Sequence, residues 1–266
     1  MSGKHVLITG ASSGIGRALA LRYAREGALL SLFGRDAERL QAVVDACRAA
    51  GAAGAESFVA DVRDRDAMAA AVAKAEAIAP LDLVVANAGV SSGRSPSHVL
   101  ERPEAVRATF AINVTGVLNT VEPTVPALVE RRAGQIALVG SMTGLRGLPF
   151  SPAYSATKAA VHSYATALRG TLAPYGVDVT LVVPGWVDTP MSQRVTSWKA
   201  SIVSDAEAAE IVWRGLERRK AVIAFPRYMY WALRFIELLP PRLVDFFMLR
   251  FSADVPATRE KEEAAG

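Results

Sequence analysis

Apolar residues along the chain fall into short runs separated by longer stretches in which they recur at helical spacing. The runs are Val6–Ile8, Leu29–Phe33, Ser57–Val59, Leu83–Val85, Ile136–Val139, Val179–Val183 and Val222–Ala224. They carry little polar alternation, so they predict strands buried on both faces rather than on one. Between them, sets such as Ile15, Ala18, Leu19 and Tyr23, or Leu40, Val43 and Val44, place apolar side chains on one face of a helix. Strand and helix alternate throughout, which predicts an α/β fold: a doubly wound, seven-stranded, mostly parallel sheet with helices on both faces. Helix starts are expected at Asp36, Ser204 and Asp205, whose side-chain oxygens can cap free backbone N–H groups.

With 266 residues, 51% hydrophobic and 21% charged, the chain suits one large α/β core. Residues 1–252 are expected to form a single domain, with a flexible polar tail over 253–266. The net charge of +4 and a pI near 9.4 change little, because the basic residues are scattered. The densest group, Arg214, Arg218, Arg219 and Lys220, lies at an expected helix end, where cations suit the macrodipole. No aromatic-plus-basic surface accompanies it, so no nucleic-acid partner is expected. Cys47 has no second cysteine to bridge, which fits a cytoplasmic location. Val6–Ile8 is too short for a signal-peptide core, and no apolar stretch of about eighteen residues predicts a spanning helix. His5, His98 and His162 lack metal-ligand spacing with one another or with Cys47, so no metal is expected. His162 is read as a packed helix histidine.

Chemistry first enters at Thr9-Gly10-Ala11-Ser12-Ser13-Gly14-Ile15-Gly16, between the first strand and an amphipathic helix. Gly10 permits a tight turn off the strand, Gly14 lets backbone approach a pyrophosphate, and Gly16 allows close helix–strand packing. The helix N-terminus beyond favours the negative charge. An acidic residue at the end of the second strand would bind a ribose 2′-hydroxyl, but the residue there is Gly34. Arg35 follows it and can pair with a 2′-phosphate, which points to NADP(H). Asp36 is assigned to helix capping. Asp61-Val62 follows the third strand and Asn87-Ala88-Gly89 the fourth, where small residues let the chain pass close beneath a nucleotide.

Tyr154 and Lys158 are four residues apart and share a helical face, so a phenol and an ammonium can point into one cleft. A neighbouring cation favours the phenolate, and the same phenol can donate its proton to a developing alkoxide. Ser141 directly follows the fifth strand, at the carboxyl edge where open α/β sheets bind ligands.

Together with Asn113 in Ala111-Ile-Asn-Val-Thr115, these residues resemble the catalytic tetrad of short-chain dehydrogenases/reductases, and the glycine run is similar to that family's T-G-x-x-x-G-x-G. The resemblance extends from Val6 to about Ala224. It implies Tyr154 as general acid/base, Ser141 as a hydrogen-bond donor to the substrate oxygen, Lys158 on the nicotinamide ribose, and Asn113 ordering a water in a proton relay. It further implies that Asp61 and the Val62 amide meet the adenine. In Pro184-Gly185-Trp186-Val187-Asp188-Thr189, it implies that Val187 and Thr189 meet the nicotinamide amide. Gly140 departs from the pattern, since a second serine is frequent there, and no effect on the chemistry is expected.

The implied activity is an NADP(H)-dependent interconversion of a ketone and a secondary alcohol. A non-catalytic NADP-binding module, a nucleotide-sugar epimerase and a reductase of small polar ketones are the alternatives. Trp186, Met191, Val195, Trp198 and Ile202 are expected to close an apolar lid, and the texture of the chain resembles members acting on long-chain keto-lipids or steroids. Over 227–251, aromatic and aliphatic residues mix with Arg227, Arg234, Glu237, Arg242, Asp245 and Arg250, divided by Pro240-Pro241. This predicts two short amphipathic helices that border the site entrance and bury against a subunit of a homodimer or tetramer, or against a membrane surface.

Overall fold

The computed structural model describes residues 3–94, 99–195, 199 and 201–248. Its centre is a parallel sheet built from β1 (His5–Thr9), β2 (Leu29–Gly34), β3 (Gly54–Val59), β4 (Leu83–Ala86), β5 (Gln135–Val139) and β6 (Asp178–Pro184). The short strands β7 (Val187–Asp188) and β8 (Val203–Ser204) pair separately, and β9 (Val222–Phe225) completes the main sheet in the order β3-β2-β1-β4-β5-β6-β9. All seven expected strands are present, and every pairing between them is parallel.

Alternate side chains of one strand supply opposite layers, which is why the runs read as continuously apolar. Val6 and Ile8 of β1 pack with Leu30 and Leu32 against α1 (Gly14–Ala24) and α2 (Ala37–Ala49). Leu7, between them, faces the other layer with Val84 and with Met68 and Val72 of α3 (Arg65–Ile78). Each such aliphatic side chain contributes about 1.5–3 kcal/mol on burial. The second layer continues through α4 (Pro103–Phe110), a π-turn at Ala111–Thr115, α5 (Gly116–Val121), α6 (Val125–Arg131) and α7 (Pro152–Leu172). Beyond β6 come α8 (Pro190–Gln193), α9 (Asp205–Glu217), α10 (Arg227–Ile236) and α11 (Pro241–Met248). Asp36 caps α2 through Arg39 N–H at 2.9 Å, as expected. Ser204 and Glu207 form a reciprocal capping box on α9.

The β7–β8 pair has no counterpart in the sequence expectations, because two-residue strands carry no readable alternation. It folds the segment after β6 back on itself, with Val203 N–H donating to the Trp186 carbonyl at 3.1 Å. The two amphipathic C-terminal helices are present, and Pro241 opens α11. Among the described residues no helix is long and apolar enough to cross a membrane. The expected tail over 253–266 lies outside the described residues.

Strand order reverses between β1 and β4, which opens a crevice at the carboxyl edge of the sheet. The carboxyl ends of β1, β4, β5 and β6 lead into the glycine turn, Asn87, Ser141 and the Pro184-Gly185 loop respectively. All of the chemistry-bearing segments thus meet at one edge.

Candidate active site

The glycine turn fits a nucleotide cradle. Gly10 and Gly14 both have positive φ, +66° and +52°, which side chains disfavour. A methyl group on Gly16 would lie 2.6 Å from Asn87 Nδ2 and overlap the Gly10 carbonyl. Ser13 starts α1 without a side-chain cap, and no acidic residue occupies the first turn, so its leading N–H groups suit an anion. Ser12 and Ile15 complete the turn, with Ile15 packed on the core. Asn87 serves as its brace: Nδ2 donates to the Thr9 carbonyl at 2.9 Å, while the Asn87 and Ala88 N–H groups donate to Thr9 Oγ1. Thr189 closes the other side, its Cγ2 standing 3.2 Å from where a Gly14 Cβ would be. Thr189 also caps α8 by a capping box, and Val187 is buried beside it.

Arg35 is exposed directly after β2, and its charge reaches Asp61. The Asp61 carboxylate is held by Arg63, with Nη2 at 2.6 Å, which keeps its pKa below the usual range. An adenine contact from Asp61 would therefore share that carboxylate with Arg63. The Val62 carbonyl accepts from Asn119 Nδ2 at 2.8 Å.

The four residues of the expected tetrad lie close together. The Ser141 side chain faces the Tyr154 phenol closely enough to lower its pKa, and Lys158 Nζ lies 5.7 Å from the Tyr154 ring centroid. Lys158 Nζ donates to the Val139 carbonyl at 2.8 Å, and Gly89 passes close enough that a Cβ there would lie 3.6 Å from it. Ser141 Oγ accepts from Thr143 N–H at 3.2 Å, which leaves its own proton available for donation. Asn113 is fully buried in the π-turn, accepting from Val90 N–H and donating to the Val90 carbonyl and Thr157 Oγ1. Such turns displace the main chain from regular helical bonding and recur at functional sites.

Burial dominates the electrostatics. It pushes Lys158 down to about 8 and raises Tyr154, with the neighbouring Ser141 side chain acting in the opposite, lowering direction. The expected lowering of the phenol by Lys158 is not found: desolvation is the largest influence on Tyr154, and Lys158 is not among the groups that shift it.

Two buried residues with no expected role at the site support it. Glu101 is buried, and Oε2 accepts Ala153 N–H at 2.7 Å while Oε1 accepts Ser92 Oγ–H at 2.6 Å. It caps α7 one residue before Tyr154, from 52 positions away, a separation no local motif can signal. His162 is the other: its Nε2 accepts the Ser141 N–H.

The residues expected to form an apolar lid divide into packed and exposed ones. Trp186 and Val195 pack with Leu148 and Phe150 and Met191 is half-buried, but Ile202 is 52% exposed, and Trp198 lies outside the described residues. A cavity of about 700 Å³ adjoins the site between residues 143–149 and the outer face of α7. No tetrad residue lines it, whereas Asp245 of α11 does.

The family model described as short chain dehydrogenase matches residues 4–200. An uncharacterized oxidoreductase of Myxococcus xanthus is 37% identical over 246 residues, which cover 92% of this chain and 96% of that one. A 3-dehydrosphinganine reductase of Arabidopsis thaliana is 36% identical over 190 residues, covering 70% of this chain and 56% of that one. Among solved structures, a short chain dehydrogenase from Mycobacterium paratuberculosis bound to NAD superposes with a TM-score of 0.73 at 30% identity. That match covers 84% of this chain and 95% of the other. A nicotinamide-nucleotide cradle, a convergent tetrad and this extent of match lead to one conclusion: the chain belongs to the short chain dehydrogenase family of oxidoreductases.

Proposed function

We propose that the protein is an NADP(H)-dependent reductase of a lipophilic ketone, carrying the reverse oxidation of the secondary alcohol at the same site. The single observation that carries this reading is the placement of the Ser141 side chain at the Tyr154 phenol, with the buried Lys158 ammonium beside the same ring. When bound, NADP(H) supplies or accepts the hydride. Gly10, Gly14, Gly16 and the N–H groups of Ser12, Ser13 and Ile15 would hold its pyrophosphate. Arg35 would pair with the 2′-phosphate, Val62 and Asp61 would meet the adenine, and Val187 and Thr189 the nicotinamide amide. Ala88 and Gly89 would pass beneath the nucleotide.

Tyr154 Oη gives its proton to the ketone oxygen as negative charge develops there, and Ser141 Oγ donates a second hydrogen bond to that oxygen. Lys158 holds the ribose with the ammonium protons not committed to Val139 and stabilises the phenolate left behind. All three polar contacts of the Asn113 side chain are to protein, so a water relay at this point would be held by its main chain.

NADP preference is supported by Gly34 and Arg35 at the end of β2, with Asp36 committed to capping. The apolar cluster of Trp186, Val195, Leu148 and Phe150 supports a lipophilic substrate. Residues 1–252 act as one domain in this reading. It places the enzyme in the cytoplasm as a homodimer or tetramer, with the 227–251 face on a second subunit or a membrane surface. Initial rates with NADPH and NADH over 2-alkanones of graded length test it: NADPH and the longer ketones should be preferred. Preference for NADH, or for short polar ketones, would refute the corresponding half.

A further inference from the structure

Ser141 can meet a substrate oxygen only if the backbone after β5 is fixed. On one side the sheet ladder fixes it, with Gly140 N–H donating to the Val182 carbonyl at 2.8 Å. The Ser141 N–H leaves the ladder and instead donates to His162 Nε2 at 3.3 Å, from the helix that carries Tyr154 and Lys158. His162 is 9% exposed, and its imidazole fits a slot between two glycines. A methyl group at 140 would lie 2.5 Å from its Cδ2 and closer still to Nε2, and one at 144 would lie 2.9 Å from Cε1.

We propose that His162 is the positioning residue for Ser141, its Nε2 anchoring the Ser141 amide, and that Gly140 is glycine because the imidazole occupies the space of a side chain there. The catalytic consequence rests on the role given to Ser141 above; the anchor itself does not. An accepting Nε2 requires the neutral tautomer with the proton on Nδ1, since an imidazolium would aim a donor at a donor. The charged groups acting on the ring are Lys158, one turn earlier on α7, and Arg234 from α10. Both are cations, and together with burial they hold the imidazole neutral, with a pKa pushed down to about 4. Across the neutral range the anchor is therefore always in its accepting form. The departure at Gly140 and the histidine on α7 become one linked feature rather than two unrelated ones.

Three measurements on the full-length protein test this. Nitrogen-15 NMR of the imidazole should report Nδ1 protonated and Nε2 unprotonated from pH 7 down to about pH 5, and the reverse tautomer would overturn the anchor. Gly140→Ala should lower the melting temperature in the wild-type background and be tolerated in a His162→Ala background; equal effects in both would overturn the slot. Both readouts decide without any turnover. With 2-decanone and NADPH, His162→Leu keeps volume but loses the acceptor and should lower kcat roughly ten- to hundredfold, the range for an orphaned buried donor. The NADPH Kd should stay unchanged, and His162→Gln, which can still accept, should recover most of the loss. A His162→Leu protein with wild-type kcat would overturn the positioning role. If 2-decanone is not reduced even by the wild type, the proposed function fails, and the NMR and double-substitution results still decide the anchor.

Discussion

Because burial holds the Tyr154 phenol above its ordinary pKa, the side chain is a proton donor at neutral pH, which suits reduction. Oxidation needs the phenolate, so its rate should climb through the alkaline range while reduction is fastest at neutral pH; parallel profiles would contradict the assignment. Tyr154→Phe should keep NADPH binding and lower turnover by at least about 10²–10⁴-fold, checked by fluorescence titration and initial rates. At Arg35, loss of one charge-assisted contact should raise the NADPH Kd about ten- to hundredfold and leave NADH unchanged. His162 gives a stability prediction with a definite sign. Its folded pKa, about 4, lies below the 6.5 of a free imidazole, so the unfolded chain binds more protons between these values. Stability should fall as pH drops through that window, by up to about 3 kcal/mol from this group. His162→Gln should flatten the decline in chemical denaturation measured from pH 7 to 4.5. Tyr154, Lys158 and Ser141 were legible because helical spacing and a strand end place them. The dominance of burial at Tyr154 was not, since desolvation depends on neighbours distant in sequence.

α7 carries Tyr154, Lys158 and His162 and draws its start from a distant carboxylate. Glu101 satisfies an orphan N–H of its first turn and sets a negative charge at the positive end of the helix dipole. Glu101→Ala should cost about 1–2 kcal/mol of stability in urea denaturation and lower kcat more than it raises KM. Glu101→Gln, keeping one acceptor, should fall between. An alanine variant as stable as wild type would remove Glu101 from the helix. The seven strands were readable because parallel strands under helices are apolar on both faces, as Val6, Leu7 and Ile8 show. β3 was read only from Ser57, because Gly54, Ala55 and Glu56 at its start lack that signal. The π-turn at Asn113 had no sequence signal either, since Ala-Ile-Asn-Val-Thr reads as ordinary helix. Its conformation follows from the bonds of Asn113 to Val90 and Thr157, which are tertiary.

On the scale of the whole molecule, the C-terminal helices pack beside the loop that follows Ser141. Met229, Tyr230 and Leu233 of α10 pack on the core beside Leu145, and Arg146 bridges Glu237 and Asp245, so the loop after Ser141 holds this segment down. The opposite face leaves Tyr228, Trp231 and Phe235 exposed at spacings of a single helical stripe, with Trp231 at 63% and Leu238 at 80% exposure. That Pro240-Pro241 divides two amphipathic helices was legible; what the exposed stripe meets was not, because amphipathicity fixes a face and not its partner. Removal of residues from Arg227 onward should reduce solubility or change the assembly seen by light scattering. It should also raise KM for long ketones more than for short ones. A truncated protein that is soluble, unchanged in assembly and equal on both ketone classes would contradict this. The central claim, hydride exchange with a carbonyl under Tyr154 acid catalysis, is tested most directly by isotope transfer. Protein is incubated with NADPH deuterated at the transferable nicotinamide position and a 2-alkanone, and the alcohol is analysed by mass spectrometry. The account predicts deuterium on the carbinol carbon with the wild type and nearly none with Tyr154→Phe in the same time. Label transfer undiminished by that substitution, or none from NADPH to any ketone of the series, would contradict it.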